Sequence, residues 1–276
     1  MANTTQAGIP LTRHGTRVPT IAPRANAKTP ATATATVTAP ATVDPPRPVA
    51  PTPTIRTMIV CVPDELPTQV LNSTRQLDRH LGVQATSYAR FWASPTVGWW
   101  YRPQMIDLRK AKAGPRYCAG GPVRLLDLAG MRHGAAVGAG IRHQYWTAVV
   151  SGTRNATPWQ TFLLRHLADP GKYPMATAQA EFEAQPRVLA MRMHNASAIG
   201  SVELDPYELE ILQAGQAAYA HYHSMWSVCT DAVLTADGTL LQPASDAATH
   251  KVGYLSQAIR YVDNLDRDQR LLAVTL

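Results

Sequence analysis

The stretch DPYELEILQAGQAAYAHYHSMWSVCTDAV, residues 205–233, constrains the fold more than any other part of the chain. Asp205 suits a helix N-cap, Pro206 the first helical position and Glu208 the third, where a carboxylate reaches back to unpaired N–H groups. Apolar or small residues then recur at Ile211, Leu212, Gly215, Ala218, Tyr219, Tyr222, Met225, Trp226, Cys229 and Val233. That spacing predicts one continuous helical stripe of about seven turns. It is a scaffold signal and not a chemical one. His221 and His223 are two apart on such a helix, so they point away from each other and cannot share a metal.

Residues 1–53 are a different material. Pro, Ala and Thr fill 33 of the 53 positions, aromatic residues are absent, and Asp44 is the one acid. Such a segment buries too little apolar area to offset its ordering entropy, which predicts an extended, polyproline-like arm in front of a core at 54–276. Fully stretched, the arm would reach roughly 160–170 Å, well beyond a domain radius. Its basic residues include Arg13, Arg17, Arg24 and Lys28.

Within the core, TIRTMIVCVP reads as a short strand over 58–62, and residues 64–82 as a helix with Val70, Leu71, Leu77 and Leu81 inward. TSYARFW, residues 86–92, reads as another helical turn or two. Gly130, Gly134 and Gly138 recur every four residues, a spacing that suits either close helix approach or a loop. PWQTFLLRHLADPG predicts a compact helix, and 175–193 a helix interrupted near Pro186, with Met191–Met193 a possible strand. VLTADGTLLQP carries a hairpin pattern turning at Asp237-Gly238. Residues 251–265 have helical spacing, and the apolar end LLAVTL is expected to dock on the core or on a second copy. The fold class expected is mainly α, with a short strand and a small β-hairpin behind the arm.

The charge is unevenly placed. Residues 1–199 carry 22 Lys/Arg against 9 Asp/Glu, and residues 200–276 carry 4 against 10, within a net charge of +7. A basic front and an acidic rear suit polyanion binding and head-to-tail packing of copies. The cations concentrate at Arg102, Arg109, Lys110, Lys112, Arg116, Arg124, Arg132 and Arg142, interleaved with Tyr88, Phe91, Trp92, Trp99, Trp100, Tyr101 and Tyr117. These cations are expected to meet phosphate, together with those of the arm, while the tryptophans are expected to anchor the core. His133 and His143 could also touch phosphate. The carboxylates Asp205, Glu208 and Glu210 are the expected contact for the basic front of a neighbouring subunit. No single-strand RNA-binding motif accompanies the cluster, so binding without sequence preference is expected.

Catalytic patterns are scarce. No zinc spacing, GxSxG, Walker A, HExxH or paired-carboxylate motif occurs, and three scattered cysteines argue against a disulfide framework. Neither a membrane span nor a secretory leader is expected. Arg13-His14-Gly15-Thr16-Arg17-Val18-Pro19 resembles the signature of histidine acid phosphatases, in which the histidine is phosphorylated and the arginines grip phosphate. That family also needs a later His-Asp pair, and the chain has no His-Asp dipeptide. A non-enzyme without a cofactor is therefore expected, with phosphate handling through His14 as the alternative and a plain protein-interaction module as another. Pro, Ala and Ser together make 74 of 276 residues in a basic chain of 30.0 kDa. In that respect it resembles the proline-alanine-serine-rich coat proteins of fungal double-stranded RNA viruses, though threonine largely stands in for serine. The resemblance implies genome coating: a self-assembling coat or nucleoprotein subunit, partnered by its own copies and by RNA or DNA, in a virion assembled in the host cytoplasm.

Overall fold

The computed structural model describes residues 50–63, 66–67, 71, 84–111, 113–197 and 202–276. Outside them lie Arg13, His14, Arg17, Arg24, Lys28 and Lys112, and nearly all of the helix expected over 64–82. The described residues, from 50 onward, fall in one compact unit.

The chain is mainly α, around a mixed sheet larger than a hairpin. In chain order the strands are β1 (Thr57–Val62), β2 (Thr86–Ser87), β3 (Phe91–Ala93), β4 (Arg116–Cys118), β5 (Gly120–Pro122), β6 (Ala232–Leu234), β7 (Leu240–Leu241) and β8 (Arg270–Thr275). The helices are α1 (Leu128–Val149), α2 (Trp159–Ala168), α3 (Met175–Glu183), α4 (Pro186–Ser197), α5 (Leu209–Gln213), α6 (Gln216–Cys229) and α7 (Ala248–Asp263). The main sheet runs β2-β8-β1-β6-β7, with β5 also paired to β8. β1 pairs with β6 in parallel and with β8 antiparallel, from Thr57↔Thr275 to Val62↔Arg270.

The apolar C-terminal run is thus a strand with β1 on one side and β2 and β5 on the other, not a surface segment. Continuous apolar residues suit that place, because both faces are covered. Successive side chains alternate between faces. Ile59, Cys61, Leu271 and Ala273 join Met225, Val228 and Cys229 of α6 and Leu255, Ala258 and Val262 of α7. Met58, Val60, Val62, Leu272 and Val274 face the other way, onto Leu71, Ala85, Ile106 and Ala119. Gly120 is required where β5 meets β8: a Cβ there would lie 2.0 Å from the Leu271 carbonyl oxygen.

A third core belongs to the helices. Trp146 of α1, Phe182, Val188 and Met191 of α3 and α4, Leu209 and Leu212 of α5, and Tyr219 of α6 bury one another. Arg187 threads this cluster. It donates to the Thr153 carbonyl (2.7 Å) and Oγ1 (3.1 Å), to Asn155 Oδ1 (2.6 Å) and to Gln213 Oε1 (3.0 Å), with its guanidinium over Trp146.

Several expectations are corrected. The single stripe over 205–233 is interrupted twice. A short 3-10 turn at Pro206–Glu208 leads into α5, and Gly215 then takes φ 104°, a conformation open to glycine, before α6 restarts. The second break is Thr230, at φ 56°, which turns the chain into β6 and places Val233 in a strand. The split sends Leu209 and Leu212 to the helical core but Met225 and Cys229 to the sheet. Residues 86–92 are extended rather than helical, and Met191–Met193 is helical. The glycine series falls on α1, where Gly134 admits the Trp92 ring: a Cβ would sit 2.8 Å from it.

Candidate nucleic-acid interface

Residues 94–115 form an excursion between β3 and β4, which pair antiparallel from Phe91↔Cys118 to Ala93↔Arg116. Gly98 leads into a 3-10 helix, Trp99–Gln104, none of whose residues is buried. Trp99 and Trp100 are 65% and 73% exposed, with ring centroids 3.8 Å apart. Tyr101 and Tyr117 are also exposed. The expectation that these tryptophans anchor the core is therefore reversed. Trp92 does pack on the core and meets Tyr117 edge-on at 6.4 Å. Three consecutive aromatics before Arg102-Pro103 cannot all face one core from a six-residue turn. That was the signal available in the sequence.

The cations divide the opposite way, with much of the expected phosphate cluster engaged inside the molecule. Arg116 donates to the carbonyls of Ser94 (3.3 Å) and Val97 (2.8 Å), holding the excursion on β4. Arg124 pairs with Asp268 at 2.5 Å, donates to Gln104 Oε1 and lies over the Tyr101 ring. Arg132 binds Asp263 at 2.6 Å, tying α1 to α7. Arg142 reaches the Tyr219 hydroxyl at 3.4 Å. His143 is buried, its Nε2 3.0 Å from the Leu212 carbonyl, so it does not face phosphate. Arg109 pairs with Asp107 at 2.9 Å but stays largely in water. Among the described residues Arg102 and Lys110 are exposed and make no ion pair. Exposed on this stretch are thus Trp99, Trp100, Tyr101 and Tyr117 and the cations Arg102, Arg109 and Lys110.

The acidic triplet is occupied as well. Asp205 Oδ1 accepts from the Tyr207 N–H at 2.8 Å, as a cap should. Glu210 Oε2 accepts from the Ala248 N–H at 3.1 Å, capping α7 across space. Glu208 Oε2 accepts from the Tyr219 hydroxyl at 2.8 Å and lies 3.5 Å from His223 Nε2. Burial pushes the Glu208 carboxyl upward, but His223, Tyr219 and the Arg142 charge outweigh it and hold it below its ordinary value. These carboxylates serve this chain's own helices, which removes Glu208 and Glu210 as freely presented contacts for a neighbour.

The cysteines are buried thiols, and burial pushes both Cys118 and Cys229 up to about 12, where no thiolate is available at neutral pH. No group of three or more His, Cys, Asp or Glu among the described residues is placed to hold a metal ion. Among them too, no helix is long and apolar enough to cross a membrane. Compared with family models, with curated proteins and with solved structures, the chain matches none of them.

Proposed function

We propose that this chain is a structural coat or nucleoprotein subunit that holds RNA or DNA without reading its sequence, with the 94–115 excursion and Tyr117 of β4 as the contact. The observation that carries the reading is the Trp99–Trp100 pair standing in water on a stretch that also exposes Arg102 and Lys110, neither of which makes an ion pair among the described residues. Two adjacent, mostly exposed indoles are unusual on a chain whose other apolar side chains have three cores to enter. Every base has a π-face, so such a platform stacks on any sequence, while the cations neutralise phosphate. The excess of cations in residues 1–199 agrees with this. Self-assembly is the second half of the reading. Val137, Ile141 and Tyr145 are each about half exposed and four residues apart on α1, a stripe suited to packing against another copy.

The test is fluorescence anisotropy with a labelled single strand of mixed sequence over a salt series, alongside negative-stain microscopy of the purified protein. Binding should weaken steeply with salt and be similar for unrelated sequences, and the protein should form particles or filaments. Absent or salt-independent binding overturns the nucleic-acid reading. A strictly monomeric protein overturns the coat reading.

A further inference from the structure

A second built site lies away from the excursion. The residues leading into β1 (Pro53, Thr54 and Ile55), α6 and the start of α7 enclose a cavity of about 190 Å³. A cavity of about 150 Å³ already holds a benzene-sized molecule, so this one has room for a ligand of side-chain size. Its walls combine two chemistries. Tyr222, Trp226, Tyr254 and Leu255 supply apolar and aromatic surface, and Glu208, Asp231 and Asp246 supply carboxylates.

The charge inside is opposite to that of the chain. Three carboxylates face Lys251 and His223, so the cavity carries a net negative charge in a protein of net charge +7. Lys251 is committed to Asp246 at 2.9 Å. Asp231 is held by one oxygen only: its Oδ2 accepts from the N–H groups of Arg56 (3.2 Å) and Thr57 (3.0 Å) and from Thr57 Oγ1 (2.9 Å). Its Oδ1 has no hydrogen bond among the described residues. The backbone is bent to put it there. Thr230, a β-branched residue at φ 56°, carries the chain out of α6 with its Oγ1 bonded to the Thr57 carbonyl. The Tyr254 hydroxyl donates to the carbonyls of Cys229 (2.9 Å) and Thr230 (3.3 Å) and locks the turn. Burial first, then the fields of Glu208, Asp231, Tyr219 and Asp246, push the Tyr222 phenol upward.

We propose that this cavity binds a small organic cation, an alkyl-guanidinium or alkyl-ammonium, with its charge against the Oδ1 of Asp231, beside the Asp246–Lys251 pair, and its carbon chain against Tyr222, Trp226 and Leu255. The enclosed negative charge disfavours an anion. Among the described residues the carboxylates are not gathered as metal ligands. Aromatic faces beside carboxylates are the surroundings in which a desolvated organic cation is most stable. The inference stands independently of the nucleic-acid reading.

The test uses the full chain, freed of nucleic acid, titrated by calorimetry with agmatine, with n-butylammonium and with 1-butanol as the neutral shape. Both cations should bind saturably, one per chain, and displace each other, and 1-butanol should not bind. Asp231→Asn and Asp246→Asn should each weaken agmatine by about tenfold or more, as loss of one partner of a partly buried charge pair does. Asp246 is on the rim, so its variant reports even if the Asp231 variant folds poorly. Asp169→Asn, in the helical lobe, should bind as the parent does, and so should Trp99→Ala/Trp100→Ala, which separates this site from the excursion. Equal binding of 1-butanol, no saturable binding by the folded chain, or parental affinity in the Asp246→Asn protein overturns the proposal.

Discussion

The excursion at 94–115 and the helical core around Trp146 are built from the same residue types and treat them in opposite ways. In the core, Arg187 finds four hydrogen bonds and a tryptophan face, and Trp146, Phe182 and Tyr219 are sealed from water. In the excursion, Trp99 and Trp100 lie against each other in solvent while Arg102 and Lys110 are exposed and make no ion pair among the described residues. A buried arginine must satisfy its donors inside the protein, because an unmet buried donor costs more than a made bond gains. An exposed arginine can wait for phosphate. The difference teaches that arginine-aromatic interleaving is a neutral pattern: burial decides whether it builds a core or an interface.

The comparison breaks most sharply at Arg187. Arg187→Met keeps an unbranched apolar stem but strands Asn155 Oδ1 and the Thr153 carbonyl, and should cost about 2–4 kcal/mol in urea unfolding. If the loss were negligible, the core arginine would be as dispensable as a surface one. Trp99→Ala/Trp100→Ala should do the reverse. Stability should stay within about 0.5 kcal/mol, as for exposed positions. Single-strand affinity should fall about tenfold or more, since each stacked base contributes about 1–3 kcal/mol. An unchanged dissociation constant would show that the indoles serve something other than bases.

Two smaller effects sharpen the contrast in charge. Arg102→Ala/Lys110→Ala should lower the slope of log K against log salt by about 0.7 for each phosphate no longer neutralised, whereas Arg124→Ala should act mainly on stability. Equal slopes in the parent and both variants would remove the distinction between free and engaged cations. The least effect is expected from Glu208→Gln. Because the folded Glu208 carboxyl is held below its ordinary value, its charge stabilises the fold above about pH 4.3, the unfolded range. That contribution is lost as pH falls through the folded value. Urea midpoints at pH 7, 5, 4 and 3 should show the parent losing its advantage over Glu208→Gln at the acid end. A constant difference across the series would contradict the burial-and-pairing account of Glu208.

Much of the scaffold was legible in local pattern. The apolar run at 58–62, the turn at Asp237-Gly238, the break before Pro186 and the helix over 248–263 follow from residue spacing and turn chemistry that act within a few positions. The interface was legible only as a set of residues, with its two halves reversed. Trp99 and Trp100 read as core because apolar residues usually are, and Arg116, Arg124, Arg132 and Arg142 read as free because charge usually is. Neither rule knows which partner arrives from elsewhere in the chain. The cavity was not legible at all. Its walls come from residues 53–55, 208–231 and 243–255, and no window holds them together.

By itself the sequence determined that a Pro/Ala/Thr-rich segment precedes a mainly α unit, that positive charge leads and negative charge trails, and that helices lie near 159–168, on both sides of Pro186 and near 248–263. Those are properties of composition and of interactions within one or two turns. The tertiary structure alone decided that LLAVTL becomes a strand between β1 and its other partners, that Gly215 and Thr230 divide the stripe at 205–233, and that Asp263 and Asp268 take up Arg132 and Arg124. It also decided which aromatic residues stay in water. Each of these depends on groups more than a hundred residues apart or on a backbone turn forced by packing, and spacing along the chain carries no information about either.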